Sequence, residues 1–264
     1  MHVPTPSGVA EWRAAAETAD DAVVASHVDG DHVLLLRRWR REGAPVVLLV
    51  HGIGMGQQYF GLLREALSEG LDVITLDLPG FGASPEPSER LPMPQLADLL
   101  ADALRGRVDA PLVALGHSMG TQVVAELAAR HPELVSRVVL IAPTVNPRER
   151  SGWQQALRLV QDLSNDPPIV ALVGAYLYAQ TGARWYLRKL RSMLEHDLRD
   201  VRPRVLQPTL VIRGDGDRVV PAAWAAEVRD LLPDGELRIA RDKGHEAMVT
   251  AAEPVARMVM EFAG

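Results

Sequence analysis

Residues 112–129 constrain the fold of this chain more than any other stretch. They open with a short apolar run of strand length and continue with apolar residues at helical spacing. Residues 116–120, which read GHSMG, stand between the two patterns and leave no room for a longer loop. A turn that tight crowds its backbone, so a glycine is expected at each end of it. The stretch predicts a strand, a sharp turn and a helix with the Ser118 hydroxyl raised at the apex, rather than an ordinary turn with a solvated serine.

The rest of the chain alternates between strand-like and helix-like patterns. Strands are expected at residues 23–28, 33–39, 46–50, 72–76, 112–115, 138–141, 208–213 and 236–240. Helices are expected at residues 8–20, 59–68, 93–104, 222–232 and 249–262, in addition to the helix that follows Gly120 and stops at His131. An Asp29-Gly30 pair between the first two strands predicts a hairpin. The alternation predicts an α/β fold, with a mostly parallel sheet and helices on both faces.

Residues 144–204 interrupt the alternation, because they contain no clear strand and read as several helices. Ligands of open α/β sheets bind at the carboxyl edge of the strands, where both ends of this segment should emerge. The segment carries five of the twelve aromatic residues of the chain: Trp153, Tyr176, Tyr178, Trp185 and Tyr186. We therefore predict a core domain of residues 1–143 and 205–264 and a helical cap of residues 144–204, whose aromatic side chains bind substrate. The alternative is a helical segment packed only on itself.

Composition and charge exclude several classes of function. The net charge is −6 without charged blocks, which argues against a nucleic-acid partner. The absence of cysteine excludes disulfides and thiolate chemistry and suits a reducing compartment. Residues 1–21 lack the basic start and apolar core of a secretory signal, and the longest apolar stretch, residues 169–179, is too short to span a bilayer. We expect a cytoplasmic protein, either monomer or homodimer, whose partner is a small-molecule substrate.

A serine hydroxyl becomes a useful nucleophile only beside a base, which in turn needs an acid to orient it. His245 is the candidate base, since it follows the last predicted strand in a loop beside Gly244. Asp215 and Asp217 both follow the preceding strand, and their side chains cannot both face one histidine. Asp217 sits deeper in the loop and is the candidate orienting acid, which leaves Asp215 to shape the turn. His51 also follows a strand, but its glycine-rich surroundings predict that it braces the loop by hydrogen bonds.

An oxyanion forms when a serine attacks a carbonyl, so N–H donors must be waiting for it. The Met119 N–H is one candidate, because it lies at the start of the helix after Ser118. Ile53 is the second, because it lies in the loop after the third strand, where glycines at 52, 54 and 56 let the backbone approach a substrate. That loop lacks the lysine and the hydroxyl residue of a phosphate-binding loop. The expected chemistry uses neither a metal nor an organic cofactor.

Five motifs occur in register along nearly the whole chain. They are HGIG at residues 51–54, LDLPGFGAS at 76–84, GHSMG at 116–120, GDGDRVVP at 214–221 and GH at 244–245. Together they resemble the α/β-hydrolase family. The resemblance implies an eight-stranded, mostly parallel sheet with a helical cap inserted after the sixth strand. It also implies a triad of Ser118, Asp217 and His245, with Ile53 and Met119 supplying the oxyanion N–H groups.

Three functions are compatible with these residues. The leading prediction is a serine hydrolase that cleaves a carboxylic ester of a small, largely apolar substrate through an acyl-enzyme. The second is a C–C bond hydrolase that cleaves a vinylogous diketone with the same triad. Such enzymes are similar around the glycine loop but typically carry Trp directly after the histidine, where this chain has Glu246. The third is a ligand-binding protein on a hydrolase scaffold, which would have no need for an intact triad.

Overall fold

A computed structural model describes residues 22–151, 154 and 182–264 of the 264-residue chain. The strands of these residues are β1 (Val23–Asp29), β2 (His32–Trp39), β3 (Val46–Val50), β4 (Asp72–Asp77), β5 (Leu112–His117), β6 (Val135–Ile141), β7 (Thr209–Gly214) and β8 (Gly235–Ala240). Their helices are α1 (Gly61–Ser68), α2 (Met93–Leu104), α3 (Met119–Arg130), α4 (Ala183–Glu195), α5 (Leu198–Val201), α6 (Ala222–Leu231), α7 (Ala247–Thr250) and α8 (Ala252–Ala263).

The strands of the described chain form one eight-stranded sheet in the order β1-β2-β4-β3-β5-β6-β7-β8. β2 pairs antiparallel with β1, as in the predicted hairpin, and also with β4, whereas the other neighbouring pairs are parallel. The inner strands β4, β5 and β7 are buried along their whole length, as expected of strands covered on both faces. α1 packs beside α8, and α2 beside α3, to cover the sheet. The predicted eight-stranded, mostly parallel sheet is confirmed.

The end of the chain differs from its prediction. The single helix expected at residues 249–262 is two helices, α7 and α8, which are separated at Ala251 with φ −143° and ψ 45°. In a continuous helix the N–H of residue 254 would donate to the Thr250 carbonyl, but Pro254 has no N–H. The helix therefore ends at Thr250 and restarts with the proline in its first turn, where a missing N–H is tolerated.

The segment between β6 and β7 contains the α-helices α4 and α5 among the residues that the structure describes. α4 docks on the core through Trp185, whose buried ring lies against Gly80 in the loop after β4. The predicted helix at residues 8–20 and the apolar stretch at 169–179 lie outside the described residues, and the cap boundaries at 144 and 204 stay a prediction. None of the described helices is both long and apolar enough to cross a bilayer.

Candidate active site

Four loops meet at the carboxyl edge of the sheet. β3, β5, β7 and β8 run in the same direction, so the residues that follow them come to the same edge. These loops carry Gly52 after β3, Ser118 after β5, Asp217 after β7 and His245 after β8. The sheet therefore gathers residues that lie far apart in the sequence into one region.

The turn between β5 and α3 is as sharp as the sequence predicts. Ser118 has φ 52° and ψ −118°, a conformation that a residue with a side chain adopts only under strain. A Cβ atom added at Gly116 would overlap the Gly120 carbonyl, and one added at Gly120 would overlap the Val50 carbonyl. The expected need for glycine at both ends of the turn is thus confirmed. Ser118 itself is 7% exposed at the amino end of α3.

The loop after β3 lies directly against this turn. A Cβ atom at Gly52 would stand 3.2 Å from the Cβ atom of Ser118. His51 braces the loop as predicted, because its Nδ1 donates to the Gly52 carbonyl at 2.8 Å and its Nε2 accepts from the Leu78 N–H at 3.1 Å. Burial lowers the pKa of His51, which favours the neutral ring that this pair of hydrogen bonds requires.

The two candidate oxyanion donors stand beside Ser118 in this arrangement. The Gly52 carbonyl points at His51, and a planar trans peptide therefore directs the Ile53 N–H the opposite way. No acceptor for that N–H lies among the described residues. Met119 is the first residue of α3, and its N–H belongs to the unpaired amino end of the helix.

Asp217, rather than Asp215, contacts the histidine. His245 Nδ1 lies 3.0 Å from Asp217 Oδ2, and the two side chains are 4% and 0% exposed. The other carboxylate oxygen of Asp217 accepts from the Val220 N–H at 2.8 Å. Asp215 is exposed, and its carboxylate accepts from the Lys243 N–H at 3.3 Å. A carboxylate at Nδ1 requires a proton on that nitrogen, so the neutral ring of His245 keeps Nε2 unprotonated.

Arg213 stabilises the loop that carries Asp217, and sequence reasoning missed it. The buried guanidinium donates from Nε to the Val220 carbonyl at 2.6 Å and from Nη2 to the Asp217 carbonyl at 2.9 Å. Its Nη1 donates to the Asp215 carbonyl at 3.2 Å. The available signal was a charged residue inside an otherwise apolar strand, where burial demands hydrogen-bond partners.

His117, His245 and Glu246 form a buried cluster that sequence reasoning also missed. One ligand atom from each lies within 4.8 Å of the others, which is close enough to consider a metal site. His117 Nε2, however, lies 3.2 Å from the His245 carbonyl oxygen, and a carbonyl can only accept, so this nitrogen carries a proton. A metal ligand needs an unprotonated nitrogen, so Nε2, the nitrogen that lies 3.6 Å from Glu246 Oε2, cannot bind a metal in this arrangement.

Of the five aromatic residues predicted to bind substrate, the structure describes two. Trp185 and Tyr186 lie on α4, whereas Trp153, Tyr176 and Tyr178 lie outside the described residues. Trp185 is buried against Gly80, where an added Cβ atom would overlap the indole ring. The Nζ of Lys189 lies 5.7 Å from the centre of that ring. Trp185 therefore anchors α4 to the core, and a role for these aromatic residues in substrate binding stays a prediction.

Several known proteins of similar sequence carry the names of hydrolases. The pimeloyl-[acyl-carrier protein] methyl ester esterase of Aromatoleum aromaticum is 28% identical over 247 residues, which cover 81% of this chain and 96% of that protein. The putative carbamate hydrolase RutD of Yersinia enterocolitica is 28% identical over 245 residues, which cover 83% of this chain and 87% of that protein.

The fold has close counterparts among solved structures. A thermophilic esterase from Thermogutta terrifontis superposes with a TM-score of 0.76 at 20% identity, covering 91% of this chain and 97% of that one. At that identity the likeness shows the fold alone. The sequence pattern of the alpha/beta hydrolase family, in contrast, matches residues 47–258. The chain therefore belongs to the alpha/beta hydrolase family, and the relatives named above support its being a hydrolase.

Proposed function

We propose that the protein is a serine hydrolase that cleaves carboxylic esters with Ser118, His245 and Asp217. The observation that carries the proposal is a strained serine at the apex of a turn, together with a buried histidine whose Nδ1 is held by a buried carboxylate. Because Asp217 accepts the Nδ1 proton, Nε2 is the nitrogen that can take the proton of Ser118. This combination makes a serine nucleophilic near neutral pH.

The proposed reaction has two halves. In acylation, Ser118 Oγ attacks the ester carbonyl carbon while His245 Nε2 removes the hydroxyl proton. The carbonyl oxygen becomes an oxyanion that the N–H groups of Ile53 and Met119 stabilise. The intermediate then expels the alcohol, which takes the proton from His245. In deacylation, His245 removes a proton from water, the water oxygen attacks the acyl-enzyme, and the carboxylic acid leaves as the proton returns to Ser118.

We assign the choice of substrate to a helical cap of residues 144–204. Docking of α4 on the core through Trp185 supports this assignment, because it holds the segment close to the loops of the site. Trp153, Tyr176, Tyr178 and Tyr186 are the further candidates for apolar contacts, which would favour an apolar acyl or alcohol group. Glu246 argues against C–C bond cleavage, since enzymes of that type typically carry Trp at this position.

The nucleophile is tested with a fluorophosphonate probe and a panel of acyl esters of graded length. The wild-type protein should be labelled at Ser118, and Ser118→Ala should lose both labelling and ester turnover while keeping its melting temperature. Ser136→Ala is the matched control, because the Ser136 hydroxyl donates to the Leu112 carbonyl at 3.0 Å, away from the site. Labelling of Ser118→Ala, or faster turnover of a dienoate than of every ester, would contradict the proposal.

A further inference from the structure

We infer that His117 is a positioning residue for His245, and that it sets the place of the base relative to the nucleophile. The inference rests on the proposed function, in which His245 moves protons for Ser118. His117 directly precedes Ser118 in the turn, yet its side chain contacts the main chain of His245, which lies 128 residues further along. One residue therefore joins the loop of the nucleophile to the loop of the base.

The contact between the two histidines is close and buried. His117 Nε2 donates to the His245 carbonyl oxygen at 3.2 Å, and the centres of the two rings are 5.0 Å apart. His117 is 1% exposed, so water does not compete for this hydrogen bond. On its other side the ring lies against the loop after β3, because a Cβ atom at Gly52 would stand 3.2 Å from His117 Nδ1.

The surroundings hold His117 in one protonation state. Burial and the neighbouring His245 keep the pKa of His117 well below its ordinary value, so the ring is neutral. The carbonyl of His245 requires the proton on Nε2, and the Oε2 atom of Glu246, 3.6 Å from the same nitrogen, favours it there as well. Nδ1 has no hydrogen-bond partner among the described residues, so no acceptor there stabilises the other tautomer.

The position of His245 needs this support because the residue lies in a loop. The main chain before it is held where the Gly216 N–H donates to the Lys243 carbonyl at 2.9 Å. The main chain after it enters the short helix α7 at Ala247. Asp217 holds the ring at Nδ1, whereas His117 holds the main-chain carbonyl of the same residue. The two contacts together restrain both the orientation of the imidazole and the place of its backbone.

The expected consequence is a loss of rate rather than of substrate binding. A general base works within hydrogen-bonding reach of the proton that it removes. A misplacement of about 1 Å costs on the order of 100-fold in rate. If the His245 backbone loses its contact with His117, kcat should fall while KM changes little, because no group that touches substrate has been removed.

The test compares His117→Leu with His117→Gln. Leucine fills a similar volume without a donor, whereas the glutamine amide nitrogen can replace Nε2 and donate to the same carbonyl. We expect His117→Leu to lower kcat/KM by about 10- to 100-fold, and His117→Gln to stay close to the wild-type value. The melting temperature of each variant is measured alongside, and if the leucine variant does not fold, His117→Asn replaces it, since its amide is too short to reach the carbonyl.

A leaving-group series separates positioning from a general structural role. An alkoxide must be protonated by His245 as it leaves, whereas p-nitrophenolate leaves without a proton. His117→Leu should therefore lose more kcat/KM toward an ethyl ester than toward the p-nitrophenyl ester of the same acid, by about a further 10-fold. Equal losses for both esters, equal losses in the leucine and glutamine variants, or wild-type kcat in His117→Leu would each overturn the inference.

Ser118→Ala in the same assay distinguishes the two proposals. If that variant retains turnover, the proposed function fails, and His117 has no base to position. If it is inactive while His117→Leu is unaffected, the serine mechanism stands and the inference about His117 alone is wrong.

Discussion

The two halves of the site are held in place by different contacts. In the nucleophile half, a Cβ atom at Gly116 would overlap the main chain of the turn itself, and one at Gly120 would overlap the main chain at the end of β3. In the histidine half, a backbone contact at Gly214 positions the loop, but His245 itself is held by side-chain groups: Asp217 bonds to its ring and His117 to its main-chain carbonyl. The place of the serine is therefore set by steric exclusion, and the place of the base by polar contacts.

The two kinds of contact respond differently to amino-acid substitution. A backbone contact with no room for a Cβ atom cannot be relaxed by a rotamer change, so substitution there should unfold the turn. A side-chain hydrogen bond can be removed with the fold left intact, so substitution there should slow the reaction. Substitutions at the crowded glycines of the nucleophile half should thus act on stability, and those of the side chains that hold His245 on rate.

The largest expected effect is at the orienting acid. Asp217→Asn presents an amide to His245 Nδ1 and favours the wrong tautomer, so kcat for an ester should fall by about 10⁴-fold. Asp215→Asn is the matched control, because that exposed carboxylate accepts from the Lys243 N–H at 3.3 Å, and an amide oxygen can replace it there. Steady-state kinetics with one ester gives both values, and a larger loss in Asp215→Asn would reassign the acid.

The next effect tests steric exclusion in the nucleophile half. Gly120→Ala places a Cβ atom on the Val50 carbonyl of a central strand, so the free energy of unfolding should fall by about 3 kcal/mol or more. Gly70→Ala is the control, because the nearest atom to its Cβ would be the flexible Met260 Sδ at 3.0 Å, and its cost should stay below about 1 kcal/mol. Urea unfolding measures both, and equal costs would show that steric exclusion does not set the place of the serine.

The smallest effect is a dependence of stability on pH. Burial lowers the pKa of His51 and of His117 from the ordinary value of 6.5, so below pH 6.5 the unfolded chain binds protons that the folded chain refuses. Stability is therefore lost as the pH falls through 6.5, by up to about 1.4 kcal/mol per pH unit for each histidine. In His51→Gln the free energy of unfolding should depend less steeply on pH than in the wild type. Urea unfolding at stepped pH measures this slope, and an unchanged slope would contradict the prediction.

Local sequence patterns predicted most strands and helices well, because hydrophobic periodicity and turn residues reflect the secondary structure of the same stretch of chain. The bounds of β3 and α2 match their sequence predictions, since each is a run of one period with clear ends. The pattern at residues 249–262 predicts one closing helix where the structure has two, because the apolar spacing continues past Thr250 although Pro254 prevents a continuous hydrogen-bond ladder. The pattern reports which residues face the core, and the hydrogen bonds decide where a helix ends.

The sequence by itself determined the sharp turn at Ser118, because the crowding that demands Gly116 arises within the turn, from the Gly120 carbonyl and the Thr121 nitrogen. The crowding that demands Gly120 comes from the main chain of Val50 and His51 and therefore belongs to the tertiary structure. Only the tertiary structure decided that Arg213 donates hydrogen bonds to the loop of Asp217, and that His117 donates to the main chain of His245. These contacts depend on the order of strands in the sheet, which brings the loops after β5, β7 and β8 to one edge. Hydrophobic periodicity specifies which face of a strand is buried, but it does not encode which strand becomes its neighbour.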